Sequence, residues 1–384
     1  MKNAKLRIIV ILSLCLFRFF IKGKATKKIG APRKILIAQM AKMGDMVCTT
    51  PMFRAVKANY PKSKVYVLGN GINKELLDWN PDIDRYIIFK NNFFETARIL
   101  REKNIDFACL TSPGFVGLAL LYFAGIPLIS APEIKNGFSP YETKSYKLLR
   151  KFVISAPHYM GNYAPREYLK LLEPIHVFAE DTKKHLFFSS AGEQRVSDFF
   201  LRNNARPDFD FIVIIAPSAG NKIKLWGGNK FAKVADYLYR HYNAKIIIVG
   251  AKNDTEHINE MLCFLDKNTK VINVAEAFAI DELKALISKA NLFISVDTGP
   301  LYIAEAFGVP TIDIVGPMDE CEQPPAGEFN RVVKVKNRKK PELHIMNARV
   351  YDAKEARRQV EEITAGMVTD ELNKLVDALK KRYA

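Results

Sequence analysis

The chain has 384 residues, of which 48% are hydrophobic, so it is long enough for two domains and apolar enough to bury a core in each. This composition excludes a globally disordered chain. The formal net charge of +17 is concentrated at one end, since residues 1–34 contain ten lysines and arginines and no acidic residue. Because no basic stripe interleaved with aromatic residues follows, nucleic acid is not predicted as a partner.

The first predicted element is the apolar segment from Ile8 to Ile21, which has basic residues on both sides. As a helix it would be about 21 Å long, shorter than a bilayer core of about 30 Å. A cleaved signal peptide, a short membrane span and a helix lying at the membrane interface all remain open. The lysines around Gly23-Lys24-Ala25 disfavour cleavage, and the cationic flanks favour a helix held by anionic lipid. Residues 1–31 are therefore predicted to associate with the inner face of the cell membrane, with the rest of the chain in the cytoplasm.

From residue 34 onward, short strands rich in β-branched residues alternate with helical segments. A first series occupies residues 32–180, a second occupies residues 181–345, and a charged helical tail covers residues 346–384. Within the first series, residues 132–185 are irregular and are predicted as loops and one helix. The alternation predicts an α/β fold with two Rossmann-like, doubly wound domains facing a central cleft. Ligands of such sheets lie beyond the carboxyl ends of the strands, so the loops after the strands are the candidate sites.

The loop Asp297-Thr298-Gly299-Pro300 directly follows the predicted strand Leu292–Val296 and begins a helix. Proline suits the first helical turn, and glycine permits close approach of a ligand to the backbone. Exposed N–H groups at such a helix end suit a pyrophosphate. The same residues also fit a helix start capped by its own side chains, and the sequence leaves both interpretations open.

A second loop, Ala216 to Trp226, lies between a predicted strand and a predicted helix. Its small residues Ser218 and Ala219 would allow the backbone to cradle phosphate oxygens. Lys222 and Lys224 supply positive charge for a leaving diphosphate. A solvated basic loop is the alternative.

The loop Ala41-Lys-Met-Gly-Asp45 follows the first strand of the first domain. A carboxylate at this place, near a helix N-terminus, can accept the proton of an attacking hydroxyl. Asp45 is also a suitable cap for that helix, so a structural role stays open.

Metal chemistry is not predicted. Asp82-Ile-Asp84 has the D-x-D form of metal-dependent transferases, but it follows Asn80-Pro81 and is interpreted as a turn. The five cysteines are scattered and form no C-x-x-C pair, which indicates a reducing compartment without a zinc site. Neither a G-x-S-x-G elbow nor a Walker A loop is present, so hydrolase and P-loop functions lack support.

Three motifs in this order resemble glycosyltransferase family 9, the ADP-heptose:lipopolysaccharide heptosyltransferases. The resemblance covers roughly residues 33–340, and it differs from the common family pattern at Met43, at Ser218-Ala219 and at Tyr302, where histidine is frequent. The three matching stretches are Ile35–Pro51, Ala216–Trp226 and Ser295–Thr311.

The resemblance implies a GT-B fold and an inverting, metal-independent transfer without a cofactor beyond the nucleotide-sugar donor. It implies that Asp45 is the catalytic base and that Lys224 contacts the donor diphosphate. Asp297, Thr298 and Gly299 match the donor loop, and Asp254 is a weaker match to a nucleoside-binding position. Heptose from ADP-heptose is the expected donor group, and a lipopolysaccharide-core or other lipid-linked saccharide is the expected acceptor.

Basic residues near the end of the first domain are candidate contacts for a phosphorylated acceptor, namely Lys144, Lys147 and Arg150. A solvated surface is the alternative for them. Two other functions stay open for the whole chain: a nucleotide-sugar epimerase of the same architecture, and a catalytically silent nucleotide-sugar binding protein.

Overall fold

The computed structural model describes residues 2–325 and 327–383; Met1, Ala326 and Ala384, which belong to predicted segments, lie outside the described residues. The chain divides into two compact units, each built from three segments. The first unit comprises the chain up to Lys74, Asn80–Lys184 and Ile345–Val350, and the second comprises Glu75–Trp79, His185–His344 and the chain from Tyr351.

The first unit contains six strands and seven helices among the described residues. The strands are β1 (Lys34–Ala38), β2 (Lys64–Gly69), β3 (Arg85–Ile88), β4 (Phe107–Leu110), β5 (Leu128–Ile134) and β6 (Ile154–His158). The helices are α1 (Lys2–Lys22), α2 (Met43–Asn59), α3 (Gly71–Leu77), α4 (Phe93–Lys103), α5 (Phe115–Ala124), α6 (Lys144–Arg150) and α7 (Ala164–Leu169), the end of α3 belonging to the second unit.

All strands of the first sheet are parallel, in the order β3-β2-β1-β4-β5-β6. The central strands β1 and β4 are almost wholly buried, as expected for apolar strands covered by helices on both faces. The interpretation of residues 132–185 as loops and one helix was wrong, because this region adds β6 and two short helices. Strand β6 lies at the edge of the sheet, where Pro157, which has no N–H group, is tolerated.

Helix α1 packs on the first unit instead of standing apart from it. Ile11 and Cys15 are 2% and 0% exposed and belong to the hydrophobic core of this unit. Phe19 stacks on Phe152 with ring centroids 4.3 Å apart. After the helix, the Ala25 N–H group donates to the Phe152 carbonyl at 2.7 Å. Among the described residues, no helix has both the length and the apolar character that a membrane span requires.

The second unit repeats the architecture of the first. Its strands are β7 (Ile212–Ala216), β8 (Lys245–Ile248), β9 (Val271–Asn273), β10 (Leu292–Val296), β11 (Thr311–Ile314) and β12 (Asn330–Val333). Its helices are α8 (Ser190–Arg202), α9 (Gly228–Tyr242), α10 (Thr255–Cys263), α11 (Ile280–Ser288), α12 (Gly299–Ala306), α13 (Ala353–Glu361) and α14 (Ala365–Tyr383).

The second sheet is also parallel, in the order β12-β11-β10-β7-β8-β9. Numbered within its own unit, this is the order 3-2-1-4-5-6, which is the Rossmann order and the order of the first sheet as well. The C-terminal helices cover this sheet, with Val360, Leu372 and Leu375 buried in its core. From Tyr351 onward, the predicted tail is therefore an integral part of the second unit, whereas Ile345–Val350 belong to the first.

Candidate active site

Both sheets have a switch point where the strand order reverses, between β1 and β4 in the first and between β7 and β10 in the second. Helices leave to opposite faces at such a point, which opens a crevice beyond the strand ends. The loop that contains Asp45 follows β1, whereas the loops that contain Lys224 and Asp297 follow β7 and β10. The topology thus places the predicted site residues at the positions where these folds bind ligands.

Lys224 and Asp297 form an ion pair in the second unit. The Lys224 ammonium donates to the Asp297 carboxylate at 2.8 Å and to the Asp297 backbone carbonyl at 2.5 Å. The two side chains are 15% and 6% exposed, so the pair is largely withdrawn from water. Two loops that are 73 residues apart in sequence are joined by this contact.

The loop that holds Lys224 is fixed at both ends. The Asn221 side chain accepts from the Ile223 N–H group and caps the short 3₁₀ turn Lys222–Lys224. Trp226 is buried, and its indole N–H donates to the Ile363 carbonyl at 2.8 Å. A lysine on a loop held in this way loses less entropy on binding an anion than one on a free loop.

Two further side chains complete what we call the Lys224 cluster: Lys224, Asp297, Tyr302 and Asp313. The Tyr302 hydroxyl, on α12, donates to the Asp297 carboxylate. Asp313 on β11 is wholly buried, and neither of its carboxylate oxygens has a hydrogen-bond partner. Strand register explains its place, because Asp313 pairs with Ser295, two residues before Asp297.

The surroundings of Asp313 disfavour the charged form of its carboxyl group. Burial raises the pKa of its carboxyl well above the usual range, and the nearby negative charge of Asp297 raises it further. The Lys224 ammonium acts in the opposite direction but less strongly than either. One cation therefore lies beside two aspartates, and the pKa of one of them, Asp313, is raised.

Helix α12 begins directly after Asp297, with Thr298 in an extended conformation at its N-cap and Pro300 in the first turn. The Thr298 side chain does not cap the helix. The first backbone N–H groups of a helix lack intrahelical partners and favour an anion. With the ammonium of Lys224 beside it, this helix end has the chemistry of a diphosphate site.

The other predicted donor residues differ in their surroundings. Ser218 and Ala219 are buried in the loop after β7, whereas Lys222 is exposed. The Asp254 carboxylate accepts from the Ala251 N–H group at 2.7 Å, which gives it a capping role in its own turn. These contacts do not test whether the four residues bind the nucleotide-sugar donor, so that assignment remains a prediction.

Asp45 lies in the first turn of α2, which begins two residues earlier at Met43. Its carboxylate accepts from the Lys42 N–H group at 3.2 Å, and it is half-buried. This contact is the capping role that the sequence left open. A carboxylate oxygen can accept more than one hydrogen bond, so the capping contact of Asp45 does not prevent its carboxylate from accepting a proton.

Neutral side chains that the sequence analysis missed hold the Asp45 loop. The Ala41 carbonyl accepts from the amides of Asn70 and Asn73, each at 3.0 Å. The buried Gln39 accepts from the Ala41 N–H group at 3.1 Å and donates to Thr49 at 3.3 Å. Asn70, directly after β2, and Asn73, in the first turn of α3, were the available signal, because β2 is the neighbour of β1.

The three predicted acceptor contacts lie on α6. Arg150 is paired with Glu142 at 2.5 Å and with Glu133 at 3.0 Å, and its side chain is 14% exposed. Lys147 lies 3.7 Å from Glu142. These ion pairs support a structural role for Arg150 and Lys147. Acceptor binding by α6, including Lys144 at its first turn, remains a prediction.

Within residues 2–325 and 327–383, no group of three or more His, Cys, Asp or Glu side chains is placed so that it could hold a metal ion. Asp84 of the D-x-D sequence accepts from Lys57 at 2.7 Å and from the Val65 N–H group at 2.8 Å. Both contacts belong to the turn before β3.

Solved structures resemble this chain over nearly its whole length. A family 9 glycosyltransferase from Veillonella parvula superimposes with a TM-score of 0.72 at 19% identity, covering 91% of this chain and 99% of that one. The ADP-heptose lipopolysaccharide heptosyltransferase II of Escherichia coli gives a TM-score of 0.70 at 19% identity, with 90% and 99% covered. With its two parallel-sheet units, the chain has the GT-B fold of a glycosyltransferase.

Sequence comparison identifies the family. The model of glycosyltransferase family 9 (heptosyltransferase) matches residues 94–350. Lipopolysaccharide heptosyltransferase 3 of Escherichia coli is 28% identical over 290 residues, which is 72% of this chain and 81% of that protein. The chain belongs to glycosyltransferase family 9, and the resemblance drawn from its motifs is confirmed. The matched region contains Lys224 and Asp297 but not Asp45, which lies before it.

Proposed function

We propose that this chain transfers heptose from ADP-heptose to a lipopolysaccharide-core or other lipid-linked saccharide acceptor at the cytosolic face of the membrane. Family membership supports the class of reaction. The donor is supported by the similar Escherichia coli enzyme, which is described as an ADP-heptose lipopolysaccharide heptosyltransferase. The observation that carries the proposal is the ion pair between Lys224 and Asp297, at the switch point of the second sheet and beside the start of α12.

The donor diphosphate is proposed to bind at the start of α12. There the backbone N–H groups of Gly299 and its neighbours would face the phosphate oxygens, and Lys224 would neutralise part of their charge. Lys224 is already held by Asp297, so its ammonium is positioned before the donor arrives. When the C1–O bond to the diphosphate breaks, ADP leaves with an additional negative charge, which this site would stabilise.

Asp45 is proposed as the general base. The acceptor hydroxyl attacks C1 of the heptose from the face opposite the diphosphate, its proton passes to the Asp45 carboxylate, and the configuration at C1 inverts. A positioned general base contributes about two to four decades in rate. The amides of Asn70 and Asn73 hold the backbone of this loop, which limits the movement of the carboxylate.

The donor and the reaction can be tested together. Thermal unfolding of the full chain is measured with ADP-heptose and with UDP-, GDP- and dTDP-sugars, since a ligand that binds only the folded state raises its stability. We expect stabilisation by ADP-heptose above the other donors, and release of ADP only when a heptose-accepting lipid saccharide is added. ADP-heptose consumption without an acceptor would support an epimerase or hydrolase instead, and binding without turnover would support a silent binding protein.

A further inference from the structure

The two faces of α1 have different surroundings. One face is buried on the first unit through Ile11 and Cys15. The other presents apolar side chains to the surroundings at spacings of three, four and seven residues, which is one stripe along a helix. We call this stripe the α1 outer face: Leu6 (61% exposed), Ile9 (59%), Val10 (45%), Phe17 (66%), Phe20 (83%) and Ile21 (60%).

Phe94 of α4 is 54% exposed and extends this apolar surface. It lines a groove of 590 Å³ together with Leu6 and Val10 of the α1 outer face. Scattered apolar side chains are normal on a protein surface, but a contiguous apolar patch indicates a partner. The patch includes side chains from two helices of the folded unit and is therefore a feature of the tertiary structure.

Cations surround the patch. Lys5, Lys22, Lys24, Lys27 and Lys28 are exposed around α1, and the sequence has no acidic residue before Asp45. Aromatic and aliphatic side chains flanked by lysine and arginine are the composition of helices that lie in the interface of an anionic membrane. Charge complementarity thus favours a bilayer with negative headgroups over a neutral apolar partner.

A second groove of 590 Å³ combines both kinds of side chain at one place. Phe17 and Ile21 supply apolar lining, and Arg18, Lys22 and Arg101 supply positive charge. The Arg18 guanidinium lies over the Tyr122 ring at 5.7 Å, and its buried Nε atom has no hydrogen-bond partner. Within the part of the chain that the structure describes, neither Arg18 nor Arg101 forms an ion pair with a carboxylate.

Arg18 is close enough to Arg101 for their like charges to interact. Burial lowers the pKa of Arg18, the neighbouring Tyr122 raises it, and the charge of Arg101 lowers it by a smaller amount. Gly125, at a φ of +96°, lies beside the Arg18 guanidinium, and a Cβ atom added there would come within 3.1 Å of it. The groove therefore has the cations, the space and the apolar wall that a phosphate attached to acyl chains requires.

We propose that the α1 outer face is a membrane-contacting surface fixed on the first unit, and that Arg18, Lys22 and Arg101 bind the headgroup phosphate of an anionic phospholipid there. This deepens one part of the proposed function, transfer at the cytosolic face of the membrane, and it does not depend on the donor chemistry. The surface is part of the domain that carries Asp45, so the bilayer would hold that domain in one orientation and not on a flexible tether.

Flotation of the full chain with vesicles tests the apolar part. We expect binding to mixed phosphatidylglycerol–phosphatidylcholine vesicles and weak binding to pure phosphatidylcholine. The double substitution Phe17→Ser and Phe20→Ser should reduce binding by about tenfold or more, because two inserted rings are lost. Phe209→Ser is the matched control, since Phe209 is 79% exposed in the second unit, and it should bind like the wild type. Equal binding by the double variant would overturn the proposal.

The phosphate site is tested by Arg101→Gln combined with Lys22→Gln. This variant should lose most of the preference for phosphatidylglycerol, whereas Arg98→Gln, at an exposed position of the same helix α4, should keep it. Retained preference in the first variant would overturn the phosphate site. Sedimentation velocity tests whether a second copy covers this face instead. That would be shown if the wild type formed a dimer that Phe20→Ser dissociates while vesicle binding stays unchanged.

Thermal unfolding tests whether α1 is fixed on the first unit. Ile11→Ala should lower the unfolding temperature by several degrees, because it removes a core side chain, and Leu6→Ala on the outer face should not. Equal unfolding temperatures of the two variants would indicate that α1 is a flexible tether and is not packed on the first unit.

Heptose transfer to a soluble, delipidated acceptor should stay at the wild-type rate in the Phe17 and Phe20 variant. Intact vesicle binding with no transfer by the wild type would count against the proposed function alone.

Discussion

The loops after β1 and β7 occupy equivalent positions in two sheets of the same strand order, but they are stabilised differently. The loop after β7 is held by charge, through the pair of Lys224 with Asp297. The loop after β1 is held by the neutral amides of Gln39, Asn70 and Asn73. A site for a diphosphate needs a cation that is kept in place when no ligand is bound. A general base benefits from a rigid backbone whose supporting side chains carry no charge of their own.

Lys224→Ala should have the largest effect, because it removes the cation from the Lys224 cluster. We expect turnover to fall by about two to three decades and the free energy of unfolding to fall by about 3 kcal/mol, since Asp297 is left without its ionic partner. Steady-state kinetics measure the turnover, and urea unfolding measures the free energy of unfolding. Lys233→Ala, which removes an exposed lysine of α9, is the control; if it causes equal losses, the ion pair is not the cause.

Asp45→Ala should lower turnover by about two decades or more while leaving donor affinity nearly unchanged. Loss of its cap contact should cost only about 1 kcal/mol of stability. Calorimetry with ADP-heptose and acceptor-dependent ADP release measure binding and turnover separately. Asn59→Ala, at the other end of α2, controls for general damage to this helix. Wild-type turnover in the Asp45 variant would remove the carboxylate from the mechanism.

Asp313→Asn should change how stability depends on pH. Because the pKa of Asp313 is raised in the folded chain, the folded state should hold a proton that the unfolded chain releases above about pH 4. The stability of the wild type should then fall as pH rises from there to the folded-state pKa. Asparagine does not ionise. The stability of the variant relative to the wild type should therefore rise with pH, by up to about 1.4 kcal/mol per unit. Urea titrations at several pH values measure the free energy of unfolding of both proteins. If it depends on pH in the same way for the wild type and the variant, Asp313 is charged in the folded state.

Tyr302→Phe should have the smallest effect, a loss of about 1 kcal/mol in stability, because one hydrogen bond to the Asp297 carboxylate disappears while the ring remains. Turnover should fall less than in the Lys224 variant. Tyr302→His, the residue common at this place in the family, should retain more activity than the phenylalanine variant if a proton donor to Asp297 is what matters. Equal activity of the two variants would contradict that role.

Much of the fold was predictable because buried parallel strands are apolar runs, as in β1, β7 and β10. Strand β6 was missed because Pro157 and His158 at the sheet edge do not fit that pattern. The place of Asp313 depends on the register between β10 and β11, which no local pattern determines. The ion-pair partners of Arg150 could not be predicted from the sequence either, since Glu133 and Glu142 come together with it only when β5 and α6 pack.

The indole of Trp226 donates its N–H group to a carbonyl near the carboxyl end of the chain. Lys230, on the following helix, donates to the same Ile363 carbonyl at 2.9 Å. The nucleotide-sugar pocket proposed here thus depends on residues far downstream of every motif that defines the family. Proteolytic trimming ahead of α13 would remove this carbonyl, and it should weaken donor affinity without removing any of the proposed donor contacts.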